Sequence, residues 1–305
     1  IGIRRNRPAD RRPWLLIASG QASSPTADIC YYIRESITEE APFPSIADIF
    51  YLGMYPLVIM GLLRLVAQTS PGRDWSSLVD AAIVATATFA VFGVLVMDRY
   101  LTDPSLDLAG RVISVCYPVM DVALIAVAAR LIGLVHLRRP AFVLLLAGLC
   151  SLLVADMIYG ILNSAGVFET GGVADVFWIG FYVLLAAAAL HPDMAEPPQE
   201  RDQGLSMTRS GIAVLTTTTL MVPMIDLIWG EPVDKILTTV CSSILFLLVI
   251  TRLLGLVGVI QRNERRARYD AMHDSLTGLG KRVLFAHRVN EFGGSLSTGI
   301  VAILF

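Results

Sequence analysis

The sequence contains eight long apolar segments, and no other feature restricts the fold as much. A helix needs about 20 mostly apolar residues to cross the hydrocarbon core of a bilayer, and each segment is close to that length. The chain is 55% hydrophobic and only 16% charged, whereas soluble domains are about one quarter charged. We therefore predict an all-α polytopic membrane protein embedded in a lipid bilayer. The predicted spans are residues 13–33, 48–66, 78–97, 112–134, 141–163, 173–190, 210–229 and 236–258.

Arginine is concentrated in every second connection between the predicted spans, and acidic residues occupy the others. Because basic residues mark the cytoplasmic side of a membrane protein, both ends of the chain are predicted to be cytoplasmic, with residues 1–12 as a basic segment. The arginines on this side are Arg4, Arg5, Arg7, Arg11, Arg12, Arg73, Arg138, Arg139, Arg201, Arg209, Arg262, Arg265, Arg266 and Arg268. The acidic connections contain Glu35, Glu39, Glu40, Asp103, Asp107, Glu169, Glu231 and Asp234.

Two stretches of the sequence occur twice. Residues 15–33 align with residues 143–161, and residues 47–55 align with residues 174–182. The offset contains four predicted spans, an even number, so the two copies have the same orientation in the membrane. We predict two parallel four-helix repeats, residues 13–134 and residues 141–258.

Five aspartates lie within or at the ends of predicted spans, among tyrosines and a tryptophan. An ionised carboxylate deep in a membrane costs on the order of 3 kcal/mol, so such residues usually face a partner or a water-filled cavity. One interpretation is a pair of pseudo-symmetric pockets that open to the outside and bind a small cationic or hydroxylated ligand, or protons. The candidate sensing residues are Asp28, Asp48, Asp121, Asp156, Asp175, Tyr31, Tyr55, Tyr159 and Tyr182, with Tyr51 and Trp178 beside them.

In this interpretation Asp28 and Asp48 shape one pocket. Asp156 and Asp175 shape the other. The alternative interpretation is that each aspartate caps a helix or bonds to a neighbouring helix, and that the aromatic residues form an interfacial belt. The sequence leaves both interpretations open.

The cysteines and histidines are not spaced as metal or haem ligands. The four cysteines lie in or beside apolar segments without a C-x-x-C spacing, which is typical of buried free thiols. No two histidines lie at helix centres, so haem is not expected. We expect no metal ion, no cofactor and no nucleic-acid partner for this chain. The cysteines are Cys30, Cys116, Cys150 and Cys241.

Residues 259–273 form a predicted connector helix after the last span. Positions 253, 257, 260, 264, 267, 271 and 274 fit an a/d heptad that is apolar in its first half only. Both a short parallel coiled coil between two copies of the chain and a solvated, arginine-rich helix are compatible with this pattern. Residues 281–292 then predict an amphipathic helix and residues 298–305 a short buried strand, as at the start of an α/β domain.

The segment after the connector carries a motif. It reads Asp274-Ser275-Leu276-Thr277-Gly278-Leu279, followed by Arg282 and Phe285. This resembles the D-x-L-T-G-L-x-N-R-x-x-F signature that opens GGDEF diguanylate cyclase domains, with Lys281 in place of the asparagine. The resemblance covers residues 274–305, which would be the truncated start of such a domain.

The resemblance implies that the intact protein makes cyclic di-GMP from GTP in the bacterial cytoplasm, and that the chain lies in the plasma (inner) membrane. In that family each active site needs two GTP-loaded subunits, hence a homodimer, and carboxylates that hold Mg²⁺ on the phosphates. We expect those carboxylates beyond Phe305. No catalytic residue is therefore predicted within this chain, and the fragment alone is expected to be inactive. The sequence leaves open whether an EAL phosphodiesterase domain follows.

Two functions are compatible with these features. The first is a membrane sensory module coupled to a cytoplasmic GGDEF output domain, with an unidentified small ligand or stimulus. The second is a transporter or channel built on parallel repeats, with the aspartates on its pathway and an incidental tail. The tail motif favours the first function.

Overall fold

The described residues of the computed structural model form helices joined by short connections, with one isolated bridge near the C-terminal end. The structure describes residues 1–38, 43–69, 75–134, 139–196, 216–217, 219–224, 227–228, 234–274, 277, 279–282 and 284–285. Its helices are α1 (Gly2–Asn6), α2 (Arg12–Thr38), α3 (Ile46–Thr69), α4 (Trp75–Phe92), a π-helical stretch (Gly93–Met97), α5 (Asp98–Thr102), α6 (Leu108–Leu134), α7 (Pro140–Ser164), α8 (Val173–Leu190), a 3₁₀ turn (Pro192–Ala195) and α9 (Asp234–Met272).

Six of the described helical segments are long and apolar enough to cross a membrane. They are Ile46–Gln68, Trp75–Thr102, Leu108–Ile132, Pro140–Ser164, Val173–Leu190 and Lys235–Met272. The prediction of an all-α polytopic membrane protein is confirmed in this form. The second of these segments runs through α4, the π-helical stretch and α5 as one rod.

The other two predicted spans are not among these six. Residues 13–33 lie inside α2, which is long enough to span, but polar side chains such as Gln21 and Asp28 interrupt its apolar character. Residues 210–229 fall largely outside the described residues, although 216–217, 219–224 and 227–228 are helical. The total of eight spans therefore stays a prediction.

Hydrogen bonds show which helix ends share a side of the bundle. At one end, the Asn6 side-chain amide donates to the carbonyl oxygen of Leu190 at 3.2 Å. We call this the inner end, because the arginine distribution predicts that it faces the cytoplasm. At the opposite end, which we call the outer end, the Arg99 guanidinium donates to Ser164 Oγ at 3.2 Å. The helices α3, α6 and α8 run towards the inner end, and α2, α4 and α7 run towards the outer end.

The first two helices of each predicted repeat pack together in the same way. Ser23 Oγ donates to the carbonyl oxygen of Phe50 at 2.6 Å. The equivalent hydroxyl, Ser151 Oγ, donates to the carbonyl oxygen of Phe177, also at 2.6 Å. The pairs α2–α3 and α7–α8 therefore share one packing register, as the sequence alignment predicts. The third helix of the second repeat lies largely outside the described residues, so the full four-helix repeat stays a prediction.

Glycines at equivalent positions allow both helix pairs to approach closely. A methyl group at Gly20 would lie 2.8 Å from Val58 Cγ2, and a methyl group at Gly148 would overlap Leu185. Small residues at such contacts are typical of helix packing in membranes, where close van der Waals contact replaces the hydrophobic effect. The repeated glycine thus has a repeated structural role.

The chain divides into two compact units, Ile1–Arg252 and Leu253–Phe305. The first unit has a main core between α2, α3, α6, α7 and α8, in which Leu62 and Leu124 are fully buried. A smaller core packs α4 against α9 around Leu245. The described part of the second unit consists of the end of α9 and a turn.

The predicted start of an α/β domain falls mostly outside the described residues. The predicted strand 298–305 lies wholly outside them, and of the predicted helix 281–292 only residues 282 and 284–285 are described as helical. This part of the fold stays a prediction.

Candidate functional site

Asp48 and Asp175 lie in the first turns of α3 and α8, and each accepts a hydrogen bond from a backbone N–H just before its helix. Asp48 Oδ2 accepts from the backbone N–H of Ser45 at 2.6 Å, and Asp175 Oδ2 accepts from the backbone N–H of Gly171. A carboxylate in this position satisfies a free backbone donor and faces the positive end of the helix dipole. Asp48, which is 8% exposed, also accepts from Tyr117 OH at 2.6 Å. The capping interpretation therefore accounts for one bond of each aspartate.

Asp28 and Asp156 occupy equivalent positions in the two repeats and have equivalent aromatic partners. Tyr51 OH donates to Asp28 Oδ1, and Trp178 Nε1 donates to Asp156 Oδ1 at 2.8 Å. Each bond joins the first helix of a repeat to the second. Within each repeat these aspartates are thus bonded to an aromatic side chain of the neighbouring helix, rather than to the aspartate that was expected to share their pocket.

A polar cluster lies deep in the bundle, where the two predicted repeats meet. Tyr55 OH of α3 donates to Asp156 Oδ2 at 2.9 Å, so the two oxygens of Asp156 are held by donors from two different helices. Asp121 of α6 lies beside both Asp156 and Tyr55. We call Tyr55, Asp121, Asp156 and Trp178 the central cluster. In this cluster, predicted site residues of the first repeat contact predicted site residues of the second.

Asp121 differs from the other members because its carboxyl group has no donor. The residue is 0% exposed, and neither of its oxygens has a hydrogen-bond partner among the described residues. It lies 13 residues after Leu108, the first residue of α6, or about 20 Å along the helix. An unpaired ionised carboxylate at such a depth costs on the order of 3 kcal/mol. The site therefore favours a neutral acid or a bound cation at this position.

The remaining predicted tyrosines lie around the central cluster. Tyr159 packs against Trp178 with their ring centroids 5.6 Å apart, which helps to position the indole that holds Asp156. The carbonyl oxygen of Tyr182 accepts from the Gln21 side-chain amide at 2.9 Å and joins α8 to α2. Tyr31 lies nearer the outer end of α2, edge-on to the neighbouring tyrosine ring. The hypothesis that these tyrosines line a ligand pocket stays a prediction.

Tyr117 belongs to the site but was not predicted from the sequence. It bonds to Asp48 near the outer end, and it lies four residues before Asp121 on α6. Residues at this spacing lie on the same face of a helix, one turn apart. A polar residue one turn from a membrane aspartate is the signal that would have identified it.

The polar side chains described above extend from the outer end of the main core to its middle, because Asp121 lies halfway along α6. Asp48 and Tyr117 lie nearest the outer end, Asp156 and Tyr55 lie deeper, and Asp121 is the last of the series. From Asp121 towards the inner end, Arg130 on α6 has a buried Nε, and the described core cluster consists of buried apolar side chains. These include Leu62, Leu65, Leu124, Leu131, Leu145 and Leu149. Packed aliphatic residues therefore predominate between Asp121 and the inner end.

The motif residues after α9 form a turn in the second unit. Asp274 Oδ1 accepts from the backbone N–H of Thr277 at 3.0 Å and from its hydroxyl at 2.9 Å. The Asp274 N–H donates to the carbonyl oxygen of Leu279 at 2.8 Å. An aspartate and a threonine three residues apart thus satisfy the polar groups of the turn locally. Of the other motif residues, Leu276 and Gly278 lie outside the described residues, and Arg282 and Phe285 are exposed.

Lys281, which replaces the asparagine of the motif, closes the end of α9. Its Nζ donates to the carbonyl oxygen of Asp270 at 2.7 Å, and its backbone N–H donates to the carbonyl oxygen of Met272 at 2.7 Å. A cation at the C-terminal end of a helix is favoured by the helix dipole. The replacement therefore has a local structural role.

No group of three or more histidine, cysteine, aspartate or glutamate side chains in the part of the chain that the structure describes could hold a metal ion. The four cysteines are free thiols. The central cluster contributes only two carboxyl groups, too few for such a site.

The fold and the central cluster define a polytopic α-helical membrane protein with a polar centre inside its bundle. No protein-family model, curated protein or solved structure matches the chain.

Replacing Tyr55 with phenylalanine is expected to lower the free energy of unfolding by about 1 kcal/mol, because Asp156 loses one of its two donors while the ring stays buried. Tyr31→Phe is the matched control, and we expect it to leave stability unchanged. Thermal unfolding of the purified chain in detergent measures both variants. Equal stability of the two variants would contradict a structural role for the Tyr55–Asp156 bond.

Proposed function

We propose that this chain is the sensory membrane module of a bacterial signalling protein, in which α9 transmits the state of the bundle to a cytoplasmic GGDEF output domain. In the intact protein that domain would make cyclic di-GMP from GTP with Mg²⁺. A homodimer is part of the proposal, because each active site of the family needs two GTP-loaded subunits. Both ends of the chain would lie on the cytoplasmic side of the plasma membrane.

The observation that carries the proposal is the continuity of α9. It contains 39 residues, or about 58 Å at 1.5 Å per residue, whereas the hydrocarbon core is about 30 Å thick. Its first part is apolar, and its second part carries charged residues that include Arg262, Arg265 and Arg268. The helix ends at the turn formed by Asp274. A rod that continues from a membrane span into the motif supports transmission of a rotation or a shift.

An ion pair near the inner end supports the coupling of α9 to the bundle. Arg252 Nε lies 2.7 Å from Asp80 Oδ1 of α4, and the two side chains are 18% and 34% exposed. Arg252 is also the last residue of the first compact unit. Because water screens a partly buried pair less than an exposed one, this contact fixes the orientation of α9 at the point where the first unit ends.

A transporter or channel is the alternative function, and the internal duplication and the buried aspartates are compatible with it. A transport pathway needs polar groups or water along the whole path across the membrane. From Asp121 to the inner end the described core is mainly apolar, with a buried Nε of Arg130 as a polar group in this part. This favours a site that is reached from the outer side only, as in a sensor.

Chemical labelling tests the orientation that the proposal requires. In a variant whose four native cysteines are replaced by alanine, Arg268→Cys and Arg282→Cys each introduce a single thiol at an exposed position of the second unit. We expect a membrane-impermeant maleimide to modify both thiols in inverted membrane vesicles and to leave them unmodified in intact cells. The reason is that the output domain must lie where GTP is available.

Glu169→Cys, in the exposed connection between α7 and α8, is the matched control and should react from the outside only. Labelling of Arg282→Cys in intact cells would overturn the proposal. The coding sequence beyond Phe305 provides an independent check, because the proposal expects an aspartate just after the predicted strand and a G-G-D/E-E-F turn further on.

A further inference from the structure

We propose that Asp121 and Asp156 form a proton-binding site, in which one proton is held by Asp121 and shared with Asp156 through a hydrogen bond. The site lies near the middle of the bundle and takes its proton from the outer side. The idea that this proton is the stimulus of a sensory module rests on the function proposed above. The proton-binding site itself depends only on the structure of the bundle.

The donors around the pair give its two members different roles. Asp156 accepts from Tyr55 OH at 2.9 Å and from Trp178 Nε1 at 2.8 Å, an environment that stabilises a negative charge. A tyrosine hydroxyl has a single hydrogen, and Tyr55 uses it on Asp156. An ionised Asp121 would therefore receive no donor, whereas a protonated Asp121 can donate to the free lone pairs of Asp156 or Tyr55.

The burial of the Asp121 carboxyl group limits which ligand the site can bind. Asp121 is 0% exposed, and each of its oxygens has less than 1 Å² of accessible surface. A sphere the size of a water molecule therefore does not touch this carboxyl group, either from the surface or from an internal cavity. A sodium ion or an organic cation would need space for itself and for further ligands. A proton needs only a hydrogen bond.

The charges around Asp121 do not offer another way to neutralise it. The ionisable groups beside it are Tyr55 from α3 and Asp156 from α7, and Tyr117 lies on the same face of α6. Arg130 lies nine residues further along α6, or about 13 Å towards the inner end. Asp80, the ionisable side chain of α4, is paired with Arg252 near the inner end, and the groups of α5 lie at the outer end: Asp98, Arg99 and Tyr100. Among the residues that the structure describes, Asp121 thus lacks a nearby cation, and a proton supplies the missing charge.

Polar side chains that lie between the outer end and Asp121 would carry the proton inwards. Asp48, at the outer end, accepts from Tyr117 OH at 2.6 Å. Tyr117 lies one helical turn from Asp121 on the same face of α6. Carboxyl and hydroxyl groups in such series are the usual components of proton relays in membrane proteins. Beyond Asp121 the mainly apolar core would end this route.

Infrared spectroscopy tests the site directly on the full chain, purified with carbon-13-labelled aspartate and placed in lipid nanodiscs. Aspartic acids in water are ionised above a pH of about 4, so exposed aspartates give no carboxylic-acid band at neutral pH. We expect one isotope-shifted band of a protonated aspartic acid at neutral pH in the wild-type chain, and its loss in Asp121→Asn. Asp175→Asn is the matched control and should retain the band.

Absence of the band from the wild-type chain at neutral pH would overturn the proposal, and this result does not depend on the folding of any variant. Persistence of the band in a folded Asp121→Asn variant would also overturn it. Sodium chloride in place of potassium chloride should leave the band unchanged, and its loss in sodium would assign the site to a metal cation instead. Because the band reports the carboxyl group itself, its failure is distinguishable from failure of the proposed output, which labelling and cyclic di-GMP measurements test.

Discussion

Inserting two alanines after Gln261 in α9 is expected to change cyclic di-GMP output about tenfold, a typical size for coupling between two sites. The helix turns by roughly 100° per residue, so two insertions rotate everything after them by roughly 200° relative to the bundle. Four insertions rotate it by roughly 40° and should largely restore the original output. The measurement uses a chimera in which a complete GGDEF domain replaces residues from Asp274 onward, expressed in cells that lack other cyclases, with cyclic di-GMP measured by mass spectrometry.

The matched control places the same insertions after Val167, an exposed residue of the connection between α7 and α8. These lengthen the chain without rotating α9, so we expect no change in output. If two and four insertions in α9 gave the same output as the unmodified chimera, α9 would be a passive tether. The coupling proposal would then fail, although the proton-binding site would be unaffected.

The spans that could be predicted from the sequence are those whose apolar residues surround the helix. α7 and α8 combine high apolar content with clear ends, and the structure places them at residues 140–164 and 173–190, close to the predicted limits. α2 is harder to classify because it combines membrane length with Gln21, Asp28 and other polar side chains. Such a helix depends on its contacts with α3, and contacts between helices are not encoded in hydropathy.

The candidate site was predicted in its residue types but not in its connections. The duplication placed Asp28 and Asp156 at equivalent positions, and the structure gives them equivalent aromatic partners. The sequence duplication could not predict that Tyr55 of the first repeat bonds to Asp156 of the second, because this contact depends on how the repeats pack against each other. Asp121 lies deeper than the predicted span 112–134 would place it, because α6 begins at Leu108, four residues earlier.

Glycines carry a packing signal that the sequence alone does not reveal. Gly53 and Gly61 both lie on α3, eight residues apart, and hydropathy treats them alike. In the structure a methyl group at Gly53 would meet no atom within 4 Å, whereas a methyl group at Gly61 would lie 2.6 Å from Ile17 Cγ1 and 2.9 Å from the carbonyl oxygen of Pro13. Only Gly61 is therefore a point of close contact between α3 and α2.

Gly61→Leu is accordingly expected to lower the free energy of unfolding by about 3 kcal/mol, the upper part of the usual range for overpacking. The Pro13 carbonyl belongs to the backbone of α2, so it cannot move aside unless the whole helix shifts. Gly53→Leu, on the same helix, should leave stability within about 0.5 kcal/mol, because its side chain points into open space and leucine favours the helix. Thermal unfolding of both purified variants in detergent makes the comparison. Equal effects of the two substitutions would mean that α2 does not pack on α3 at this position, and α2 would then lose its place in the bundle.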